Sequence, residues 1–138
     1  MTRRVAVMDD DESFLDLVRE LLSDEGYAVE TFRGGASDYP RVRALAPDAI
    51  VLDVRMEGQV IGWTLFDRMR EDPVLRATPV IVASADSPGL EEHRADVERR
   101  GGAILVKPFD LDDLLTLLAR ATGGAGGAGD GPPAPGRP

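Results

Sequence analysis

The sequence predicts an α/β domain built on a parallel sheet. Two observations support this fold class. Short apolar runs, typical of strands that are buried on both faces, recur along the chain, and stretches with apolar residues at helical spacing lie between them. Strands that alternate with helices in this way form right-handed βαβ units. We therefore expect a doubly wound sheet of five parallel strands with helices on both faces.

The N-terminal third of the chain predicts two strands and two helices. The first strand is placed at Arg4–Met8, where an apolar run stops at an acidic stretch. An amphipathic helix follows, with Asp11 or Ser13 as its N-cap. A second strand is expected over 27–32. The next helix is placed at 40–45, because the proline at its start fits only the first turn of a helix.

The middle of the chain predicts the central strand. Four apolar residues, 49–52, lead directly to Asp53. A doubly wound sheet binds its ligands outside the carboxyl ends of its strands, so this carboxylate is expected to face a cleft. After a loop, a helix is predicted over 63–70. A fourth strand over 79–83 then leads to Ser84.

The C-terminal part predicts a last strand between two helices. A polar helix is expected from an N-cap at Ser87 to Arg100, where two glycines stop it. The fifth strand covers 103–106 and delivers Lys107. An amphipathic helix over 111–121 completes the fold.

These elements assign residues 1–122 to one domain. The remaining segment, 123–138, consists almost entirely of Gly, Ala and Pro and shows no apolar periodicity. Such a segment cannot offset the entropy lost on ordering. We expect it to be a flexible tail.

Composition and charge narrow the classes of partner. The chain carries a formal net charge of -9 and contains no cysteine. The acidic excess argues against a nucleic-acid surface, which needs clustered Lys and Arg, and the missing thiols exclude disulfides. No apolar run reaches the length of about 18 residues that suggests a membrane span, and the N-terminus does not resemble a signal peptide. These observations predict a soluble, cytoplasmic protein without a nucleic-acid or membrane partner.

The predicted topology brings three carboxylates together. In the flavodoxin-like strand order 2-1-3-4-5, the first and third strands are neighbours, and their ends carry Asp9, Asp10 and Asp53. Three carboxylates this close repel one another, so either the pKa of at least one of them must rise or the site must bind a cation. Oxygen ligands without Cys or His suit Mg²⁺. A calcium-binding EF-hand is disfavoured, because the acidic loop lacks the spacing of that motif.

The other two strand ends carry groups suited to a phosphoryl ligand. Ser84 offers a hydroxyl donor and Lys107 a positive charge. With Mg²⁺ they would surround the equatorial oxygens of a transferring phosphoryl group, while the Asp53 carboxylate attacks in line. Together, the groups at these four strand ends indicate phosphoryl-transfer chemistry far more specifically than any one of the residues does alone.

The sequence resembles the receiver domains of two-component response regulators from residue 4 to about 121. The motifs that carry the resemblance are VMDDD (7–11), PDAIVLD (47–53), VIVASA (80–85) and LVKPFD (105–110). It implies that Asp53 accepts a phosphoryl group from a histidine kinase or a histidine phosphotransfer protein. It also implies that Ser84 and Lys107 contact the phosphoryl oxygens and that the Lys107–Pro108 bond is cis.

The same resemblance implies a set of metal ligands. Asp10 would bind Mg²⁺ directly and Asp9 largely through water. Asp53 itself and the backbone carbonyl of Arg55 would be further ligands. These assignments make Mg²⁺ the expected cofactor.

Three residues depart from the family pattern. Glu57 follows Met56 where a proline is usual, and Gly62 comes one residue later than the usual glycine, so the loop after Asp53 is expected to contain an insertion. Ile104 occupies a position that is commonly an aromatic residue that swings inward on phosphorylation. An aliphatic side chain has no ring that could swing inward. This part of the family's response to phosphorylation is therefore not expected here.

We interpret the chain as a phosphorylation-controlled interaction module in phosphorelay signalling, and not as an enzyme, apart from its own phosphoryl transfer and autodephosphorylation. Phosphorylation would repack the face formed by the last two helices and the fifth strand, which a downstream protein partner would then bind. Two alternatives remain. One is a receiver that acts without phosphorylation. The other is a Mg²⁺-dependent phosphohydrolase of the haloacid dehalogenase type, disfavoured because Arg55 replaces that family's second aspartate.

Two further expectations concern single side chains. Arg55 and Asp86 should flank the phosphoryl group and could form an ion pair over it, and such a pair would slow in-line attack by water. His93, the only histidine, lies in a strongly charged helix and is expected to be solvated rather than a phosphodonor.

Overall fold

The computed structural model describes residues 2–35, 37–56 and 59–123. These residues form a five-stranded sheet with five helices, and the predicted tail beyond Gly123 lies outside them. The strands are β1 (Arg4–Met8), β2 (Ala28–Phe32), β3 (Ala49–Asp53), β4 (Val80–Ser84) and β5 (Gly102–Val106). The helices are α1 (Glu12–Asp24), α2 (Asp38–Leu45), α3 (Gly62–Glu71), α4 (Ser87–Arg99) and α5 (Leu111–Thr122).

The sheet has the order β2-β1-β3-β4-β5, with every neighbouring pair parallel. This confirms the predicted order. Met8 lies beside Leu52 and Ser84 beside Val106 in the register. The residues that follow these strands therefore emerge along one edge of the sheet, at the point where the order of the strands reverses.

Two hydrophobic layers cover the faces of the sheet. On β1, Ala6 and Met8 pack into one layer, whereas Val5 and Val7 pack into the other, as the two-residue period of a strand requires. Helices α2, α3 and α4 cover the first layer, and α1 and α5 cover the second. The central strand β3 is buried along its whole length, so its last residue is held on a rigid element.

Most predicted elements differ from the observed ones by at most one residue at either end, but α2 starts two residues earlier than expected. The carboxylate of Asp38 accepts hydrogen bonds from the backbone N–H groups of Gly34 (2.7 Å) and Gly35 (2.9 Å). This contact ties the first residue of α2 to the loop before it. Pro40 still lies in the first turn, where its missing N–H is not needed.

The N-cap of α4 is Asp86, so the predicted N-cap at Ser87 is wrong. The Asp86 carboxylate accepts a hydrogen bond from the backbone N–H of Gly89 (3.1 Å), and Ser87 is the first helical residue. Both residue types are common N-caps, and sequence alone does not choose between neighbours. The N-cap of α4 therefore lies two residues after the end of β4.

The loop after β3 contains a pair of two-residue antiparallel strands, Arg55–Met56 and Gln59–Val60. This is the loop in which an insertion was expected, although Glu57 lies outside the described residues. The loop returns to the sheet at Gly62, whose N–H donates to the carbonyl oxygen of Val54 (2.8 Å). A Cβ atom at Gly62 would lie 2.4 Å from the Val54 Cα, so only glycine fits this approach.

Among the described residues, none of the helices combines the length and the apolar character that a membrane span requires.

Candidate functional site

The ends of β1 and β3 bring three carboxylates together, as the sequence predicts. Carboxylate oxygens of Asp9, Asp10 and Asp53 all lie within 4.8 Å of one another. Asp9 is 2 % exposed and Asp53 8 % exposed, while Asp10 is half-buried. Oxygen atoms of this number and spacing form a donor set for a hard divalent cation.

Lys107, which follows β5, supplies positive charge to the same place. Its Nζ lies 2.5 Å from Asp9 Oδ2 and 3.7 Å from Asp53 Oδ1. One ammonium group cannot balance three ionised carboxylates, so the ionised site keeps a net negative charge. That excess favours binding of a cation.

Burial and the charge of Asp9 raise the pKa of Asp53 from 3.8 to about 6. Lys107 and a hydrogen bond from the backbone N–H of Arg55 act in the opposite direction but do not cancel the effect. A divalent cation beside Asp53 would favour its ionised form. The charged oxygen is the form that can act as a nucleophile.

The acidic loop after β1 is held by its own backbone. Asp9 Oδ1 accepts a hydrogen bond from the N–H of Asp11 (2.9 Å). Asp11 in turn caps α1, because its Oδ1 accepts from the N–H of Phe14 (3.2 Å). Of the two N-caps left open by the sequence, Asp11 is therefore the one used.

Ser84, at the end of β4, is 5 % exposed and points toward the start of α4. Its Oγ accepts a hydrogen bond from the backbone N–H of Asp86 (3.0 Å). A hydroxyl that accepts one bond keeps its proton for another acceptor. Ser84 is therefore able to donate toward a ligand at the site.

Arg55 and Asp86, which were expected to pair over a phosphoryl group on Asp53, form no ion pair in the structure of residues 37–56 and 59–123. The Arg55 side chain is exposed. The Asp86 carboxylate instead caps α4. The cap provides Asp86 with a local hydrogen bond that competes with any more distant partner.

The Lys107–Pro108 peptide bond is cis, as the resemblance implied. The backbone N–H of Lys107 also donates to the carbonyl oxygen of Ser84 (2.8 Å). The two residues are thus joined through the backbone where β4 and β5 end.

Two aromatic contacts are not predicted by the sequence. The Nζ of Lys107 lies 4.4 Å from the centroid of the Phe14 ring. His93 is not simply solvated, because its ring stacks on Trp63 with centroids 3.8 Å apart and its Nδ1 donates to the carbonyl oxygen of Gly89 (2.9 Å). These contacts join separate segments of the chain, and local spacing contains no signal for them.

The fold and the site together define a class: a doubly wound α/β domain whose central strand ends in an aspartate flanked by acids, a hydroxyl and a lysine. The chain belongs to the response regulator receiver domain family, whose model matches residues 5–119. It is therefore a receiver domain of the two-component signalling type.

Individual relatives agree with this assignment. Response regulator PleD from Caulobacter vibrioides is 35% identical over 124 residues, which cover 87% of this chain and 25% of PleD. The receiver domain of NtrX from Brucella abortus has a crystal structure that is 30% identical, with a TM-score of 0.73, and covers 86% of this chain and 98% of that domain. The chain spans about a quarter of the length of the first curated relatives it matches.

A third structure shares the fold at lower identity. The receiver domain of the sensor histidine kinase PA1611 from Pseudomonas aeruginosa is 22% identical, with a TM-score of 0.74 over 89% of this chain and 99% of that one. That protein was crystallised with a magnesium ion coordinated in its active-site cleft.

Proposed function

We propose that Asp53 is the phosphoacceptor of this receiver domain and that a histidine kinase or a histidine phosphotransfer protein is the donor. The observation that carries the proposal is that the ends of β1 and β5 bring two acids and an ammonium group beside the carboxylate at the end of β3. Asp9 and Asp10 lie beside Asp53, and the Lys107 ammonium lies 3.7 Å from its Oδ1. Each of these groups has a role in phosphoryl transfer.

The transfer forms one bond and breaks one. An oxygen of Asp53 attacks the phosphorus of a phosphohistidine in line, while the P–N bond breaks and its electron pair remains on the imidazole, which takes up a proton. The product is an acyl phosphate on Asp53. Lys107 would balance charge on the phosphoryl oxygens, and the Ser84 hydroxyl would donate to one of them.

The site fits Mg²⁺ by the chemistry of its donors. The expected ligands are the carboxylates of Asp9, Asp10 and Asp53 and the backbone carbonyl of Arg55, with Asp9 acting largely through water. All are oxygen donors, and the three carboxylates come within 4.8 Å of one another. When bound, the ion neutralises charge on the carboxylates and on the incoming phosphoryl group. Its presence in the PA1611 receiver supports the same choice here.

The output would be a change on the face formed by α4, β5 and α5. Ser84 and Lys107 would move toward the phosphorylated Asp53, and both are joined to this face, Ser84 through Asp86 and Lys107 through β5. A downstream protein partner would bind the altered face. The domain itself is proposed to comprise residues 1–122.

One observation favours a second candidate function. Ile104 is 8 % exposed and packs in the core, at the position where the resemblance to receiver domains implies an aromatic side chain that swings inward. A receiver that signals without phosphorylation would not need that ring. The phosphohydrolase alternative gains no such support, because Arg55 offers no second acid beside the nucleophile.

Intact mass after incubation with acetyl phosphate, with and without Mg²⁺, tests the proposal. We expect one phosphoryl group on the wild type, dependent on Mg²⁺ and absent from Asp53→Asn. The control is Asp48→Asn, the same change at the residue before β3, which should be labelled normally. No adduct under any condition would favour the phosphorylation-independent receiver. Steady release of phosphate from a small phosphoester would favour the enzyme.

A further inference from the structure

Four residues form a closed ring of contacts at the edge of the site. Asp9 Oδ1 accepts from the N–H of Asp11, and Asp11 Oδ1 accepts from the N–H of Phe14. The Phe14 ring lies under the ammonium of Lys107, and that ammonium donates back to Asp9 Oδ2. The ring thus connects the acidic loop, the first turn of α1 and the residue after β5.

Phe14 contacts the Lys107 segment at two points. Its ring centroid is 4.4 Å from Lys107 Nζ, within the range in which a cation is attracted to the face of an aromatic ring. The ring of Phe109 packs edge to face against Phe14, with centroids 6.0 Å apart and planes at 89°. Phe14 therefore packs against both ends of the segment 107–109.

We propose that Phe14 is a positioning residue that holds the Lys107 ammonium beside Asp53 for phosphoryl transfer. The inference rests on the proposed function of Asp53 and extends it to a residue that does not touch the phosphoryl group. No other aromatic ring in the described part of the chain lies under this ammonium.

The chemistry of Lys107 explains why a second contact is needed. A lysine side chain has four rotatable bonds, and its ammonium gains catalytic value only when it is held where charge develops. The shortest contact of the Lys107 ammonium is with the carboxylate of Asp9, at 2.5 Å. Asp9 is also an expected metal ligand, so a cation would compete with Lys107 for the same carboxylate. The ring of Phe14 has no such competitor.

Two measurements test the role of Phe14. In the metal-free protein, the ε-methylene protons of Lys107 should show an upfield NMR shift from the ring, and Phe14→Leu should abolish it. In the second, Phe14 is replaced by phenylalanines of increasing fluorine content, which weakens the attraction for a cation with little change in size. The rate of labelling by acetyl phosphate should fall stepwise, by about two- to tenfold in total.

Matched variants separate positioning from packing. Phe14→Tyr keeps the ring face and should restore a rate close to that of the wild type. Fluorination at Phe66 is the control, because that ring also lies near arginine guanidinium groups but on the other face of the sheet. It should leave the labelling rate unchanged.

Several results would overturn the proposal. An ordinary chemical shift for Lys107 in the wild type would show that the ring does not hold the ammonium. A labelling rate that is insensitive to fluorine at position 14 would show that the contact does not assist transfer. If the wild type is not labelled at all, the proposed function of Asp53 fails, and the NMR shift alone decides whether Phe14 holds Lys107.

Discussion

Replacing Asp53 by asparagine is expected to stabilise the metal-free protein above about pH 6. Burial and the charge of Asp9 raise the pKa of Asp53 from 3.8 to about 6. The folded state therefore binds the proton more tightly than the unfolded state, and stability falls as the pH rises between these values. This displacement of the pKa corresponds to at most about 3 kcal/mol of unfolding free energy.

Urea denaturation in the presence of EDTA measures the effect. At about pH 7.5, Asp53→Asn should be more stable than the wild type by about 2–3 kcal/mol, and at about pH 4 the difference should nearly vanish. Asp16→Asn, at an exposed position of α1, controls for the removal of one charge from a protein of net charge -9. Equal stability of mutant and wild type at the higher pH would refute the reasoning. Added Mg²⁺ should stabilise the wild type and narrow the gap.

Three other changes test how the site is supported. Gly62→Ala should destabilise the fold by about 3 kcal/mol in urea denaturation, because the new Cβ would meet the backbone of Val54 at 2.4 Å; an unchanged midpoint would contradict this. Asp86→Ala should lower the free energy of unfolding by about 1 kcal/mol, because the N–H of Gly89 loses its cap. Asp86→Asn should keep this hydrogen bond and the stability. Removing 124–138 should leave the melting temperature unchanged, and a large drop would show that the domain extends beyond residue 122.

Local patterns in the sequence predict the sheet and the location of the site. The apolar runs before Asp53 and Ser84 are unambiguous, and alternating strands and helices leave few topologies. Asp9 and Lys107 could then be placed beside Asp53, because parallel strands end on one edge.

The structure differs from the sequence predictions where a polar side chain has several possible hydrogen-bond partners. Asp38 binds backbone N–H groups that precede it, which moves the start of α2. Asp86 caps α4 instead of pairing with Arg55. The stack of His93 on Trp63 depends on how α3 and α4 pack, which spacing within one helix does not determine.

Although Ile104 has no aromatic ring, α4 is connected to the site by hydrogen bonds. Ser84 Oγ accepts from the N–H of Asp86, and the carboxylate of Asp86 accepts from Gly89 in the first turn of α4. A displacement of Ser84 toward Asp53 would therefore pull on the start of α4 through two hydrogen bonds. Because this path runs through the cap of the helix and not through the core, it does not require an aromatic side chain to move within β5.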